Sequence, residues 1–159
     1  MNAQSLYQEV ILDHNRKPRH FGAIADATHR AEGVNPLCGD HLWISVKITE
    51  ARLAEIGFQG DSCAICRASA SMMTIAVKGR DTTEVRQLAE AFRALATGHA
   101  EPDQVRLLGR LAVFSGVARL PGRVKCAVLP WHTLMAALSG ERCASSEGAA
   151  GPVSDGLAC

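Results

Sequence analysis

Residues able to hold a soft metal stand at three separate places in this chain. Cys38 lies in Asn35-Pro36-Leu37-Cys38-Gly39-Asp40, Cys63 opens Cys63-Ala64-Ile65-Cys66, and Cys126 closes Arg123-Val124-Lys125-Cys126. Thiolates are soft ligands that suit zinc or iron–sulfur units, and zinc prefers four ligands in a tetrahedron. Asp40 follows Cys38 across a glycine that lets the backbone turn tightly. Three thiolates and one carboxylate make an unusual set for a purely structural zinc. Hard oxygen holds zinc less exclusively than a fourth thiolate would, so such a site can exchange ligands. Each residue alone has a plainer reading. A single cysteine is commonly a small buried hydrophobe, and an aspartate here is commonly a turn residue. Arg123 and Lys125 would be solvated cations on their own, or charges that favour the Cys126 thiolate. The separations are too long for a local zinc motif of paired CxxC units.

Bringing these residues together requires particular elements. Leu42, Ile44, Val46 and Ile48 alternate with Trp43, Ser45, Lys47 and Thr49, the period-two pattern of a half-buried strand. Ala54, Ile56 and Phe58 alternate next, and the short link at residues 50–52 makes the two runs an antiparallel hairpin. Strands of similar length return the chain to where it entered, which puts Cys38 and Cys63 at one end. A helix should run from Cys63 to Val77, capped by Asp61 or Ser62, with Ile65, Met72, Ile75 and Ala76 on one face. Asp81-Thr82-Thr83-Glu84 starts a further helix with the stripe Val85, Leu88, Ala89, Phe92 and Leu95. Helical character continues through Val105, Leu108, Leu111 and Ala112, and residues 116–122 read as a loop. A last helix carries Val128, Trp131, Leu134, Met135 and Leu138 inward, with Pro130 in its first turn and Cys126 at its start. Near the N-terminus, Leu6, Val10 and Ile11 mark a short amphipathic helix ended by Lys17-Pro18. An edge strand is expected before Gly33. Strands first and helices after give an α+β fold: one domain over residues 1–140, a small antiparallel sheet packed on one face by several helices. Residues 141–159, rich in Gly, Ala and Ser, read as a disordered tail carrying Cys143 and Cys159 as incidental thiols.

The bulk properties narrow the function. The chain has 159 residues, 47% apolar and 21% charged, with a formal charge of +1. That describes an ordinary globular domain. The near-balance of charge gives no concentrated basic surface for nucleic acid or membrane. No apolar run is long enough to span a bilayer, and the N-terminus lacks the pattern of a signal peptide, so a cytoplasmic location is expected. In a reducing compartment, six cysteines point to metal binding or catalysis before disulfides.

Four stretches resemble the SufU branch of the IscU/NifU-N family of iron–sulfur assembly proteins (SufE/NifU-like in fold). They are Leu6-Tyr7-Gln8-Glu9-Val10-Ile11-Leu12-Asp13-His14, the Asn35 to Asp40 motif, Cys63-Ala64-Ile65 with Ala68-Ser69-Ala70-Ser71-Met72-Met73, and Arg123-Val124-Lys125-Cys126-Ala127. Scaffold-type members carry a histidine directly before the third cysteine, where this chain has Lys125. The helical segment around Pro102 to Ala112 also matches an insertion of the SufU branch. The resemblance implies a zinc protein with Cys38, Asp40, Cys63 and Cys126 as ligands. It implies Cys38 as the acceptor of persulfide sulfur from a SufS-type cysteine desulfurase, freed when a partner histidine takes its place on zinc. Other iron–sulfur assembly proteins are the implied downstream partners. The alternative it leaves is a scaffold that holds a transient iron–sulfur cluster on the same residues. Cys66 departs from the family, where a serine is expected, and creates a CxxC at a helix start. It reads as a helix residue without a special role, with a redox pair, a spare ligand or a resolving thiol as alternatives. His14 and His20 flank a basic stretch that reads as a docking surface or a solvated loop. His41 should point away from any metal.

Overall fold

The computed structural model describes residues 3–145. Its elements run α1 (Ala3–Arg16), β1 (His29–Asn35), β2 (Asp40–Thr49), β3 (Arg52–Asp61), α2 (Ala64–Val77), α3 (Thr82–Ala96), α4 (Pro102–Leu108), a 3-10 stretch (Gly109–Arg119), α5 (Pro121–Leu138) and β4 (Cys143–Ser145). The α+β reading holds. The sheet has the order β3-β2-β1-β4. β1, β2 and β3 are antiparallel neighbours as expected, but β4 joins β1 in parallel, so the sheet is mixed. β4 also takes residues 143–145 out of the tail expected to be disordered, and the remainder of that tail lies outside the described residues. Cys143 is buried on β4 and is not among the free thiols, while Cys159 also lies outside the described residues.

The pleat explains how the sheet divides its residues. Successive side chains point to opposite faces, so Ala31, Gly33 and Asn35 of β1 share a face with Asp40, Leu42, Ile44 and Val46 of β2. These seven residues are all buried beneath the helices, and Ile44 and Val46 are fully enclosed. The other face carries Glu32, His41 and Trp43. Helices cover the inner face, with Trp131 of α5 stacked on Phe92 of α3 at 4.9 Å between ring centroids. Phe114 packs edge-on against Phe92 at 5.3 Å and against Tyr7 of α1 at 6.2 Å.

Several local expectations change. In α1 the inward residues are Tyr7, Val10, Ile11 and His14, while Leu6 faces outward. Ile75 of α2 is likewise exposed. The expected loop at residues 116–122 is replaced by the 3-10 stretch and the start of α5 at Pro121, which serves as a first-turn proline. Pro130 is therefore inside α5 rather than in its first turn. It has no N–H to return to the carbonyl four residues back, that of Cys126. Surrounding packing offsets this loss, since residues 126–131 are all buried. His14 Nδ1 lies 2.7 Å from Ser71 Oγ and His20 Nδ1 lies 2.9 Å from Thr74 Oγ1, so both rings tie the N-terminal segment to α2. Among the described residues no helix is long and apolar enough to cross a membrane.

Two predictions follow from this packing. Gly33 faces α5 so closely that an added Cβ would stand 2.0 Å from Thr133 Oγ1, which itself donates to the Leu129 carbonyl. Gly33→Ala should therefore cost about 1–3 kcal/mol in urea unfolding, the usual penalty of overpacking, and Thr133→Ala should recover much of it. Burial pushes the His14 and His20 imidazoles below their ordinary value of 6.5, helped by the charges of Arg19 and Lys78 respectively. A base with a lowered folded pKa binds protons more readily when unfolded. Its stabilisation is thus present above pH 6.5 and is lost as pH falls through the folded value. Urea midpoints should drop between pH 7.5 and 5.5, and His14→Gln should flatten that slope.

Candidate metal centre

The turn between β1 and β2 is built on one residue. Asn35 and Asp40 are the closing pair of the ladder. Pro36 has no N–H to place, and the next three amides all return to Asn35. Leu37 N–H donates to its Oδ1 at 3.3 Å, while Cys38 and Gly39 donate to its carbonyl at 3.2 and 2.8 Å. Gly39 has φ +73°, the left-handed conformation that glycine adopts without strain. Cys38 is consequently held at the exposed apex of a fixed turn.

Asp40 begins β2 and is almost fully buried. Its Oδ1 accepts the Cys63 N–H at 2.7 Å, and its Oδ2 lies 3.9 Å from Cys63 Sγ. One carboxylate thus fastens the start of the hairpin to the start of α2. Cys63 itself is the N-cap of α2, in place of the expected Asp61 or Ser62, and its Sγ accepts the Cys66 N–H at 3.4 Å. Cys126 sits in the second turn of α5, one turn deeper than expected. Its Sγ lies 3.6 Å from Cys38 Sγ and 3.8 Å from the Gly122 carbonyl oxygen.

Cys38, Asp40 and Cys126 form a group whose potential ligand atoms all lie within 4.8 Å of one another. Cys63 stands at the margin of this group, joined to it through Asp40 and through a hydrogen bond with Cys126. Sequence reasoning missed Asn35, whose Nδ2 donates to Cys126 Sγ at 3.7 Å. It also missed Tyr7, whose ring packs nearby and feels the charges of both Arg123 and Cys63. Arg123 is exposed in the first turn of α5, and Lys125 is half-buried one residue before Cys126. Cys66 points into the core, where burial pushes its thiol well up. His41 is on the opposite sheet face, hydrogen-bonded to Glu32 and stacked on Trp43.

The electrostatics distinguish the two inner thiols. The hydrogen bond from Cys126 holds the Cys63 thiol down at about 6, against the opposing effect of burial, and the Cys66 amide assists. The same bond, together with burial and the Asp40 carboxylate, pushes Cys126 up. Between these two thiols, the metal-free site favours the proton on Cys126 over Cys63.

The NifU-like N terminal domain model matches residues 6–127. The chain belongs to this family. The IscU/NifU-N resemblance of its motifs is thereby borne out. An iron–sulfur cluster assembly scaffold protein IscU of Streptococcus pyogenes is 38% identical over 133 residues, spanning 84% of this chain and 82% of that protein. The zinc-dependent sulfurtransferase SufU of Bacillus subtilis is 35% identical over 133 residues, with 84% and 89% covered. Among solved structures, a Fervidobacterium islandicum protein described as a cluster assembly scaffold for the SUF system superposes with a TM-score of 0.79 at 31% identity. It covers 86% of this chain and 99% of its own. The matched span of the NifU-like domain includes Cys38, Asp40, Cys63 and Cys126.

In chelator-treated protein, iodoacetamide should label Cys63 with a pH midpoint of about 6. Cys126→Ala removes the S–H donor and should move that midpoint up towards the ordinary thiol range, as read by mass mapping of each site.

Proposed function

We propose that this chain is a zinc-dependent sulfurtransferase that accepts persulfide sulfur from a SufS-type cysteine desulfurase during iron–sulfur cluster biogenesis. Cys38, Asp40, Cys63 and Cys126 are the proposed ligands, and Cys38 is the proposed acceptor. The observation that carries the reading is the contrast in exposure. Cys38 is the exposed member of a set whose other members are buried or half-buried. The donor set fits zinc: three sulfurs and the Asp40 oxygen that is not engaged by the Cys63 amide. The naming of the Bacillus subtilis relative as a zinc-dependent sulfurtransferase supports the same reading.

When bound, zinc would keep its thiol ligands deprotonated near neutral pH. The protein does the rest. Asn35 and Gly39 present Cys38 at the turn apex, and the exposed Sγ can meet a persulfide on a partner surface. The Cys38 thiolate attacks the terminal sulfur of the partner persulfide. A new S–S bond forms on Cys38, the partner's S–S bond breaks, and the partner cysteine leaves as a thiolate. Asp40 keeps Cys63 and the start of α2 in place meanwhile. A cytoplasmic location and hand-off to other assembly proteins are part of the proposal.

A second reading is a scaffold that holds a transient iron–sulfur cluster as cargo on these residues. The observation favouring it is the naming of the Streptococcus pyogenes and Fervidobacterium islandicum relatives as scaffolds. Elemental analysis of protein purified without added metal separates the two. Stoichiometric zinc without a visible chromophore is expected, whereas iron with acid-labile sulfide would favour the scaffold. Cys38→Ser should reduce persulfide loading by a cysteine desulfurase to the background rate. A Cys38→Ser protein that is loaded and stimulates sulfide release as well as the parent would remove Cys38 as acceptor.

A further inference from the structure

Two sulfurs of the centre, those of Cys38 and Cys126, are 3.6 Å apart, yet the proposed chemistry needs one to depart and the other to remain. We propose that Asn35 sorts them: its side-chain amide holds Cys126 as the ligand that stays, while its backbone presents Cys38 as the one that leaves. This rests on the metal-binding reading above and assigns a positioning residue within it.

The orientation of the amide is fixed by its partners. Leu37 N–H can only donate, so the atom facing it is Oδ1. The opposite atom is then the NH2 group, and it faces Cys126 Sγ at 3.7 Å. Asn35 is fully buried, so no water competes for that donor. A coordinated thiolate departs by being protonated or attacked. An N–H donated to its sulfur stabilises the negative charge and makes both events less favourable. Among the described residues, Cys38 Sγ receives no N–H, and it is exposed. The turn amides are satisfied by Asn35 backbone and Oδ1 acceptors rather than by the Cys38 side chain. Cys38 can therefore change partners by side-chain rotation, without breaking a turn hydrogen bond. One residue accounts for both the fixed turn and the difference between the sulfurs.

Asn35→Asp separates the two roles, because the carboxylate keeps an acceptor for Leu37 N–H and removes the donor to Cys126. The full chain is loaded with cadmium-113 and studied by NMR. A scalar coupling between the metal and the Asn35 Nδ2 hydrogens is expected in the parent protein. In Asn35→Asp, the fold should be retained by circular dichroism, while metal retention against a chelator falls by about 10–100-fold, the usual effect of losing an outer-shell partner. The same loss should persist in a Cys38→Ser background, since Cys126 is the sulfur affected. Cadmium bound without coupling to Asn35 would overturn the assignment while leaving the proposed ligands standing. Unchanged retention in Asn35→Asp would overturn it too. No cadmium uptake by the parent protein would instead sink the metal-binding reading itself, and this inference with it.

Discussion

The register of β1 on β2 is the constraint on which the centre depends. Pairing Asn35 with Asp40 places both on the helix-covered face, with Gly33 and Leu42 behind them. Because the side-chain period of a strand is two, a slip of β2 by one residue would turn Asp40 to the open face and away from Asn35. Cys63 would lose its carboxylate anchor and Asn35 its ladder partner in the same step. The slip is opposed by burial: Leu42, Ile44 and Val46 would leave the core, and each such side chain is worth about 1.5–3 kcal/mol when buried. The apolar alternation that builds the sheet therefore also positions its polar residues.

Much of this was legible in the sequence. The alternation of Leu42 to Ile48 and the stripe from Val85 to Leu95 are strong periodic signals, and both became the expected elements. Cys38, Asp40 and Cys126 lie together with Cys63 beside them, since a hairpin of matched strands must bring Cys38 and Cys63 to one end. Other features left no local signal. β4 is three residues long and exists through pairing with β1. Pro130 suggested a helix start, but buried packing around α5 overrides the lost hydrogen bond, and Pro121 is the actual first-turn proline. Asn35 looks like an ordinary turn residue until Cys126 is seen beside it, 91 positions away.

The centre divides its labour by depth. Asp40 and Cys126 are tied inward by Cys63 N–H and by Asn35, whereas Cys38 faces solvent. Cys63 lies between, with helix amides directed at its sulfur. Donors of the same element are thus given different environments by the segments that carry them: a turn apex, a helix N-cap and a second helical turn.

Those three segments are far apart along the chain, which has an entropic consequence. Cys38 and Cys126 are 88 positions apart, and Asp40 and Cys63 are 23 apart. An ion shared among them would cross-link the chain, closing loops that the unfolded ensemble would otherwise leave open. The cost of closing a loop rises only with the logarithm of its length, but it is already incurred once the domain has folded. An ion bound there would then favour the folded ensemble by its preference for it over the open chain. The hairpin and α5 would be held as one unit, and chemistry at Cys38 would proceed at the edge of a staple rather than in a loose turn.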